Sequence, residues 1–171
     1  MEKKRIIGIY LAAGNSRRFG KRKTEQLIWR RPLASIALST ILKSEIDFTI
    51  AICSAADKLN WITPEIHETY LEKWRKVVCT SFELSYSLQL GLHAARNTGA
   101  DAVIIFLADQ PFVSSKLIDK IIAVYRESVL QEKQVEFITA SYQGKPRPPV
   151  LFSNEMFSPL KKSTVILGRG K

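Results

Sequence analysis

The sequence is poor in the residues that build metal clusters, disulfide frameworks and hydrolytic triads. It holds two cysteines and two histidines. Cys53 and Cys79 sit in apolar stretches, no CxxC occurs, and neither His67 nor His93 stands at ligand spacing from them. Buried free thiols are expected, and a zinc site is not. The absence of a G-x-S-x-G elbow argues against a serine hydrolase. No apolar run approaches the roughly 18 residues of a membrane span, so no membrane partner is expected. The start, MEKKRIIGIYLAAG, has basic residues before an apolar run, but that run is short and passes directly into cations. It reads as a first strand rather than a signal peptide, and a cytoplasmic protein is expected. Internal repeats, low-complexity tracts and linkers are not found.

Two common phosphate loops are missing as well. Gly14 and Gly20 have five residues between them and Lys21 is followed by Arg22, which breaks the Walker pattern. Gly8 and Gly14 stand alone, so there is no G-x-G-x-x-G. What the chain does have is charge of one sign, with a net +10 and a pI near 9.8. That balance suits an anionic partner. The cations fall in separate clusters and aromatic residues do not interleave with them, so a basic RNA-binding module ranks low and no nucleic-acid partner is expected.

Its 171 residues suffice for one domain with a proper core. Apolar runs at Ile6–Leu11, Phe48–Cys53, Ala102–Leu107, Phe137–Tyr142 and Pro149–Phe152 read as strands, with a short one at Val77–Cys79. Helical spacing predicts helices over Pro32–Lys43, Ser85–Asn97 and Ser115–Leu130, a helical piece within Asp57–Lys76, and a short helix at Asn154–Leu160. The turn-rich GKPRPP is expected to separate the last two strands. Alternation of strands and helices implies right-handed βαβ units and a mostly parallel sheet with helices on both faces. Ligands of such sheets bind at the C-terminal strand edge.

Two segments reach that edge with chemistry attached. The first strand empties into Ala12, Ala13 and Gly14, then Asn15 and Ser16, then five cations in the seven positions from Arg17 to Lys23. Small residues let a backbone approach a ligand, and N–H groups together with cations suit a polyphosphate. A solvated basic loop is the plainer alternative. The second segment is Ala108-Asp109-Gln110-Pro111 after AVIIFL. A carboxylate at a strand tip is placed to hold Mg²⁺, which takes one or two carboxylates and fills its shell with water and phosphate oxygens. A turn-capping aspartate is the competing reading.

LAAGNSRRFGKRK resembles the L-A-A/G-G-x-S-x-R-x-G-x-x-K signature of the MobA-like nucleotidyltransferases, with Leu11, Ala12, Ala13, Gly14, Ser16, Arg18, Gly20 and Lys23 at the matching positions. LADQP is similar to the family's metal-binding strand end. SYSLQLGL matches its G-x-S-x-S-L-x-x-G-L stretch at Ser85, Ser87, Leu88, Gly91 and Leu92, with Glu83 replacing the leading glycine. PVLF, Pro149 to Phe152, resembles the end of the acceptor-side loop, where Arg147 and Pro148 stand in for residues that are often Gly and His.

The resemblance implies a three-layer Rossmann-like α/β fold and attack by a substrate phosphate on the α-phosphorus of a nucleoside triphosphate. It implies nucleotide contacts from Leu11, Ala12, Ala13, Gly14, Ser16, Arg18, Lys23, Ser87 and Gly91. It assigns Arg18 and Lys23 to the leaving pyrophosphate and Asp109 to Mg²⁺. The LAAG, LADQP and PVLF forms look most like the molybdenum cofactor cytidylyltransferase branch. That branch implies CTP, a molybdopterin acceptor, and a molybdoenzyme such as a xanthine dehydrogenase of purine catabolism. A GTP-using guanylyltransferase, a sugar-phosphate or isoprenoid cytidylyltransferase, and a non-catalytic nucleotide-binding partner of a molybdoenzyme are the alternatives. The resemblance covers most of residues 5 to 160. Relatives continue with a G-D-x-G-A segment and a second metal-binding aspartate, whereas this chain ends KKSTVILGRGK. The expectation is one domain, truncated or altered after about residue 160, that binds nucleotide and transfers it slowly or not at all.

Overall fold

The computed structural model describes residues 3–14, 23–81 and 83–162, with the backbone alone at 142 and 162. The first strand, β1 (Ile6–Leu11), is buried at every position, as an unbroken apolar run in a central strand requires. A hairpin follows, β2 (Leu27–Ile28) and β3 (Arg31–Pro32), which leads into α1 (Leu33–Leu42). The chain continues through β4 (Phe48–Ser54), α2 (Pro64–Thr69), β5 (Trp74–Cys79), α3 (Leu84–Asn97), β6 (Ala102–Leu107) and α4 (Ser115–Leu130). It then forms β7 (Phe137–Tyr142), β8 (Lys145–Ser153) and α5 (Phe157–Lys162).

Six strands form one sheet in the order β5-β4-β1-β6-β8-β7. Three neighbouring pairs, β5–β4, β4–β1 and β1–β6, are parallel, and β8 runs antiparallel to both β6 and β7. The strand period of two sorts the core into halves. Ile6 and Tyr10 of β1 pack with α1, α2 and α4 on one face. Ile7, Ile9 and Leu11 pack with α3 and α5 on the other. The result is a three-layer, Rossmann-like α/β arrangement. From β1 the chain steps outward to β4 and β5, then returns through α3 to β6 on the other side of β1. The strand order therefore reverses at the β1–β6 boundary, where sheets of this kind open a crevice at their C-terminal ends.

Departures from the sequence expectation have local causes. The hairpin at Leu27–Pro32 turns on Trp29 (φ 49°) and Arg30 (φ 64°), both left-handed, without the glycine or asparagine that would announce such a turn. Pro32 lies at the N-cap of α1 rather than in its first turn. β5 is longer than expected because it is an edge strand, where Arg75 and Lys76 are tolerated among apolar residues. β8 begins at Lys145, so most of GKPRPP is strand, and the turn itself is Gln143 (φ 51°) and Gly144 (φ 74°). Pro146 is accepted because residues 145–147 pair with β7 alone, having run past the end of β6, and Pro148 and Pro149 fall at the break in the β7–β8 ladder between its Thr139–Val150 and Ala140–Arg147 pairs.

Candidate functional site

Leu11 and Leu107 are register partners at the ends of β1 and β6, so the segments that follow them leave the sheet side by side. The ladder continues one residue beyond each strand. The Ala12 N–H donates to the Ile52 carbonyl at 2.8 Å, and the Ala108 N–H donates to the Leu11 carbonyl at 3.1 Å. A turn closed by the Gln110 N–H on the Leu107 carbonyl, at 3.1 Å, then carries Asp109 into solvent. Leu11, Ala12 and Ala13 are buried, so they offer main chain rather than side chain to a ligand. Gly14 is exposed, and a Cβ built on it would meet nothing within 4 Å. Ser16 and Arg18, with the rest of 15–22, lie outside the described residues, as does the chain after 162.

Lys23 opens a 3-10 turn, Lys23–Glu25, whose Thr24 is buried and which packs against α1. The Leu33 N–H donates to the Gln26 carbonyl at 2.7 Å and ties this turn to the start of α1. That start is fixed to β1 by the Tyr10 hydroxyl, which donates to the Ala34 carbonyl at 2.8 Å. Lys23 is therefore held on the same strand edge as Gly14 and Asp109, with its side chain exposed. Because β8 is antiparallel, its Lys145–Pro149 end also reaches this edge and brings the exposed Arg147 with it.

Ser87 and Gly91 are placed differently. Both belong to α3 and are buried on its sheet-facing side. The Ser87 hydroxyl lies 3.4 Å from the Cys79 sulfur. A Cβ at Gly91 would fall 2.5 Å from Ile9 Cγ2, so this glycine sets how closely α3 approaches β1. Its position gives it a packing role. The N-cap of α3 is Glu83, whose side chain makes no capping bond, and Ser85 lies inside the first turn. A carboxylate thus stands at the end of α3 where a helix favours negative charge.

Three participants at this edge carried no signal in the sequence patterns. Tyr10 lies in the core beneath the edge. Burial pushes its hydroxyl well above the ordinary tyrosine range, and the Cys53 thiol and the Asp109 carboxylate add to the effect. Trp29 and Phe112 are both largely exposed and touch each other, with ring centroids 6.1 Å apart in an edge-on arrangement. Only their neighbours, two arginines and the Asp109 loop, hint at them in the sequence.

The donors at this edge are hard oxygens, which suit a magnesium-like cation. Among the described residues no three acidic, histidine or cysteine side chains cluster. A cleft of about 630 Å³ at the opposite strand edge is lined by Lys3, Lys4, Asp47 and Asp101 among others, whose ion pairs, Lys3–Asp47 and Lys4–Asp101, tie the strand starts together.

A small-residue loop and a carboxylate meeting at the switch point of a mostly parallel sheet define a nucleotide-binding α/β protein. More narrowly, the chain belongs to the MobA-like NTP transferase domain family, whose model matches residues 8–169. It is 32% identical over 160 residues to the purine catabolism protein PucB of Bacillus subtilis, a match spanning 91% of this chain and 74% of PucB. Solved structures share the fold. Rv0371c of Mycobacterium tuberculosis H37Rv superposes with a TM-score of 0.72 at 23% identity, over 93% of this chain and 76% of its own. A manganese complex of Rv0371c gives 0.66 at 20% identity, over 94% and 77%. The 4-diphosphocytidyl-2C-methyl-D-erythritol synthase of Anaerococcus prevotii gives 0.70 at 19% identity, over 98% and 79%.

Proposed function

We propose that this nucleotidyltransferase moves CMP from CTP onto a molybdopterin-type acceptor, with Mg²⁺ as its cation. The observation that carries the reading is the meeting of the Gly14 loop and Asp109 on adjacent parallel strands at the switch point. Identity to PucB supports purine catabolism as the setting. A molybdoenzyme such as a xanthine dehydrogenase is then the downstream partner, and the cytoplasm the place of work. GTP as donor, or another acceptor for CMP, is the nearest variant of the same chemistry.

In this reading the main chain from Leu11 to Gly14 lies along the triphosphate, and Ser16, Arg18 and Lys23 meet its phosphate oxygens. Lys23 and Arg18 neutralise charge as pyrophosphate leaves, which is the main demand phosphoryl transfer makes on a protein. Ser87 and Gly91 support the base side by fixing α3. Asp109 would hold Mg²⁺, the choice suggested by its lone carboxylate and by the manganese complex of Rv0371c. The cation would supply charge neutralisation on the phosphates. An acceptor phosphate oxygen forms the new bond to the α-phosphorus as the bond to the bridging oxygen of the β-phosphate breaks.

The test is pyrophosphate release from CTP, GTP or ATP, with and without molybdopterin. Release that requires molybdopterin, prefers CTP and stops on chelation is expected. Release that is indifferent to molybdopterin would overturn the acceptor. Glu83 favours a second reading, a non-catalytic nucleotide-binding accessory, since a carboxylate at the start of α3 competes with phosphate. That protein would be thermally stabilised by nucleotide and release no pyrophosphate.

A further inference from the structure

Trp29 and Phe112 are 78% and 74% exposed, the two most exposed large hydrophobic side chains among the described residues. Water is a poor environment for two aromatic rings that close to each other. Neither is there by accident of a floppy tail. Trp29 occupies a left-handed position in a two-residue turn, which is unfavourable for a bulky side chain and which the β2–β3 pairing enforces. Phe112 stands three residues beyond Asp109, on the loop between β6 and α4. The contact between them joins the hairpin that leads into α1 to the loop that carries the candidate metal carboxylate.

We propose that Trp29 and Phe112 form a stacking platform for the planar heteroaromatic ring of the acceptor. The inference rests on the proposed function, in which the acceptor carries a fused pterin ring and a phosphate. Both elements bearing the rings lead into α1 and α4, which cover one face of the sheet, whereas α3 covers the other. The nucleobase is assigned to the α3 side, so the α1–α4 side is left for the second substrate. An edge-on aromatic pair offers one ring face and one ring edge, which the flat pyrimidinone part of a pterin can meet by stacking. The exposed Arg30 beside Trp29 and the exposed Arg147 at the same strand edge suit the acceptor's phosphate.

Calorimetry of the full chain with 6-hydroxymethylpterin and, separately, with CTP tests this. Trp29→Ala and Phe112→Ala should each weaken pterin binding about tenfold, or ~1.4 kcal/mol, while CTP affinity changes less than about twofold. Trp29→Phe should retain most of the pterin affinity, and all three variants should melt with the wild type because the side chains are exposed. Pterin should also quench the wild-type tryptophan emission, and this quenching should vanish in Trp29→Phe, since Trp61 is buried and Trp74 half-buried. Equal pterin affinity in all variants would overturn the platform and leave the proposed function standing. A parallel loss of CTP affinity would show that the rings hold the nucleobase, which also overturns it. Binding of CTP without any pterin binding by the wild type would remove both the platform and the molybdopterin acceptor.

Discussion

Replacing Gly91 with alanine adds one methyl group to the contact between α3 and β1. The new Cβ would lie 2.5 Å from Ile9 Cγ2, 3.4 Å from Ile9 Cδ1 and 3.6 Å from Ile52 Cγ1. Carbon atoms rest at about 3.5–4.0 Å, so the helix and strand must part by about 1 Å or Ile9 must move. Ile9 is poorly able to move. It is β-branched, fully buried, and belongs to a strand paired on both sides. Overpacking of this kind costs about 1–3 kcal/mol. Alanine returns about 1 kcal/mol as the better helix former. The expected net loss is about 1 kcal/mol, which for a chain of this size lowers Tm by ~2–4 °C.

Thermal denaturation reads that loss, and CTP titration reads the other half of the argument. The methyl group points at the sheet rather than at the strand edge, so CTP affinity should stay within about twofold of wild type where Ile9 yields and α3 keeps its place beside the base. A variant with unchanged or higher Tm and tenfold weaker CTP binding would refute the packing argument and make Gly91 a nucleotide contact.

Lys23→Ala should weaken CTP binding by about 1–3 kcal/mol, the scale of a charge-assisted hydrogen bond, and calorimetry would read it. Cys53 should stay unreactive to a thiol reagent until the chain unfolds. Burial, then the nearby Asp57, push its thiol up to about 12 from an ordinary value of 9.0. With the folded value raised, the unfolded chain releases its proton first, so the contribution to stability is full below pH 9 and is lost as pH rises from 9.0 toward 12. Tyr10, also raised, adds to the same fall at the upper end. A denaturation series showing rising stability over that window would refute the assignment.

Much of this molecule could be read from its residues because the sheet is buried on both faces. AVIIFL and IIGIYL have no polar alternation to confuse, and each became a strand with the expected bounds. The helix Ser115–Leu130 was equally plain, with Ser114 as its cap and a stripe of Ile118, Ile121, Ile122 and Tyr125. What escaped was set by tertiary context. Nothing local marks Trp29-Arg30 as a tight turn, and nothing local says that Pro146 lies past the end of a neighbouring strand or that Pro148 and Pro149 fall at a break in the ladder. That the segments bearing Gly14 and Asp109 leave the same strand edge was legible because both follow strong strands. The pairing of Trp29 with Phe112 was not, since 83 positions and three strands of the main sheet separate them in the chain.

Asp101 and Asp109 stand at opposite ends of β6. Asp101, just before β6, accepts from the Lys4 ammonium at 3.0 Å and from the Arg5 N–H at 2.8 Å, which fixes the start of β1 beside β6. Asp47 does the same before β4, accepting from Lys3 at 2.7 Å and from the Ile6 N–H at 2.9 Å. Asp109, at the other end, has no such assignment in the sheet. A six-residue strand separates the two ends by roughly 20 Å. Asp101→Ala deprives one backbone donor of its acceptor and breaks one partly solvated ion pair. The backbone term dominates, at about 1 kcal/mol after allowing for solvent, since exposed pairs contribute little. Tm should fall by ~2–4 °C with CTP affinity unchanged. Asp109→Asn should do the reverse, leaving Tm within about 1 °C and removing the enhancement of CTP binding by Mg²⁺. Melting curves and titrations of both variants, with and without Mg²⁺, decide the matter. If Asp109→Asn melts early and keeps its metal dependence, the residue is a turn cap, and the cation belongs elsewhere.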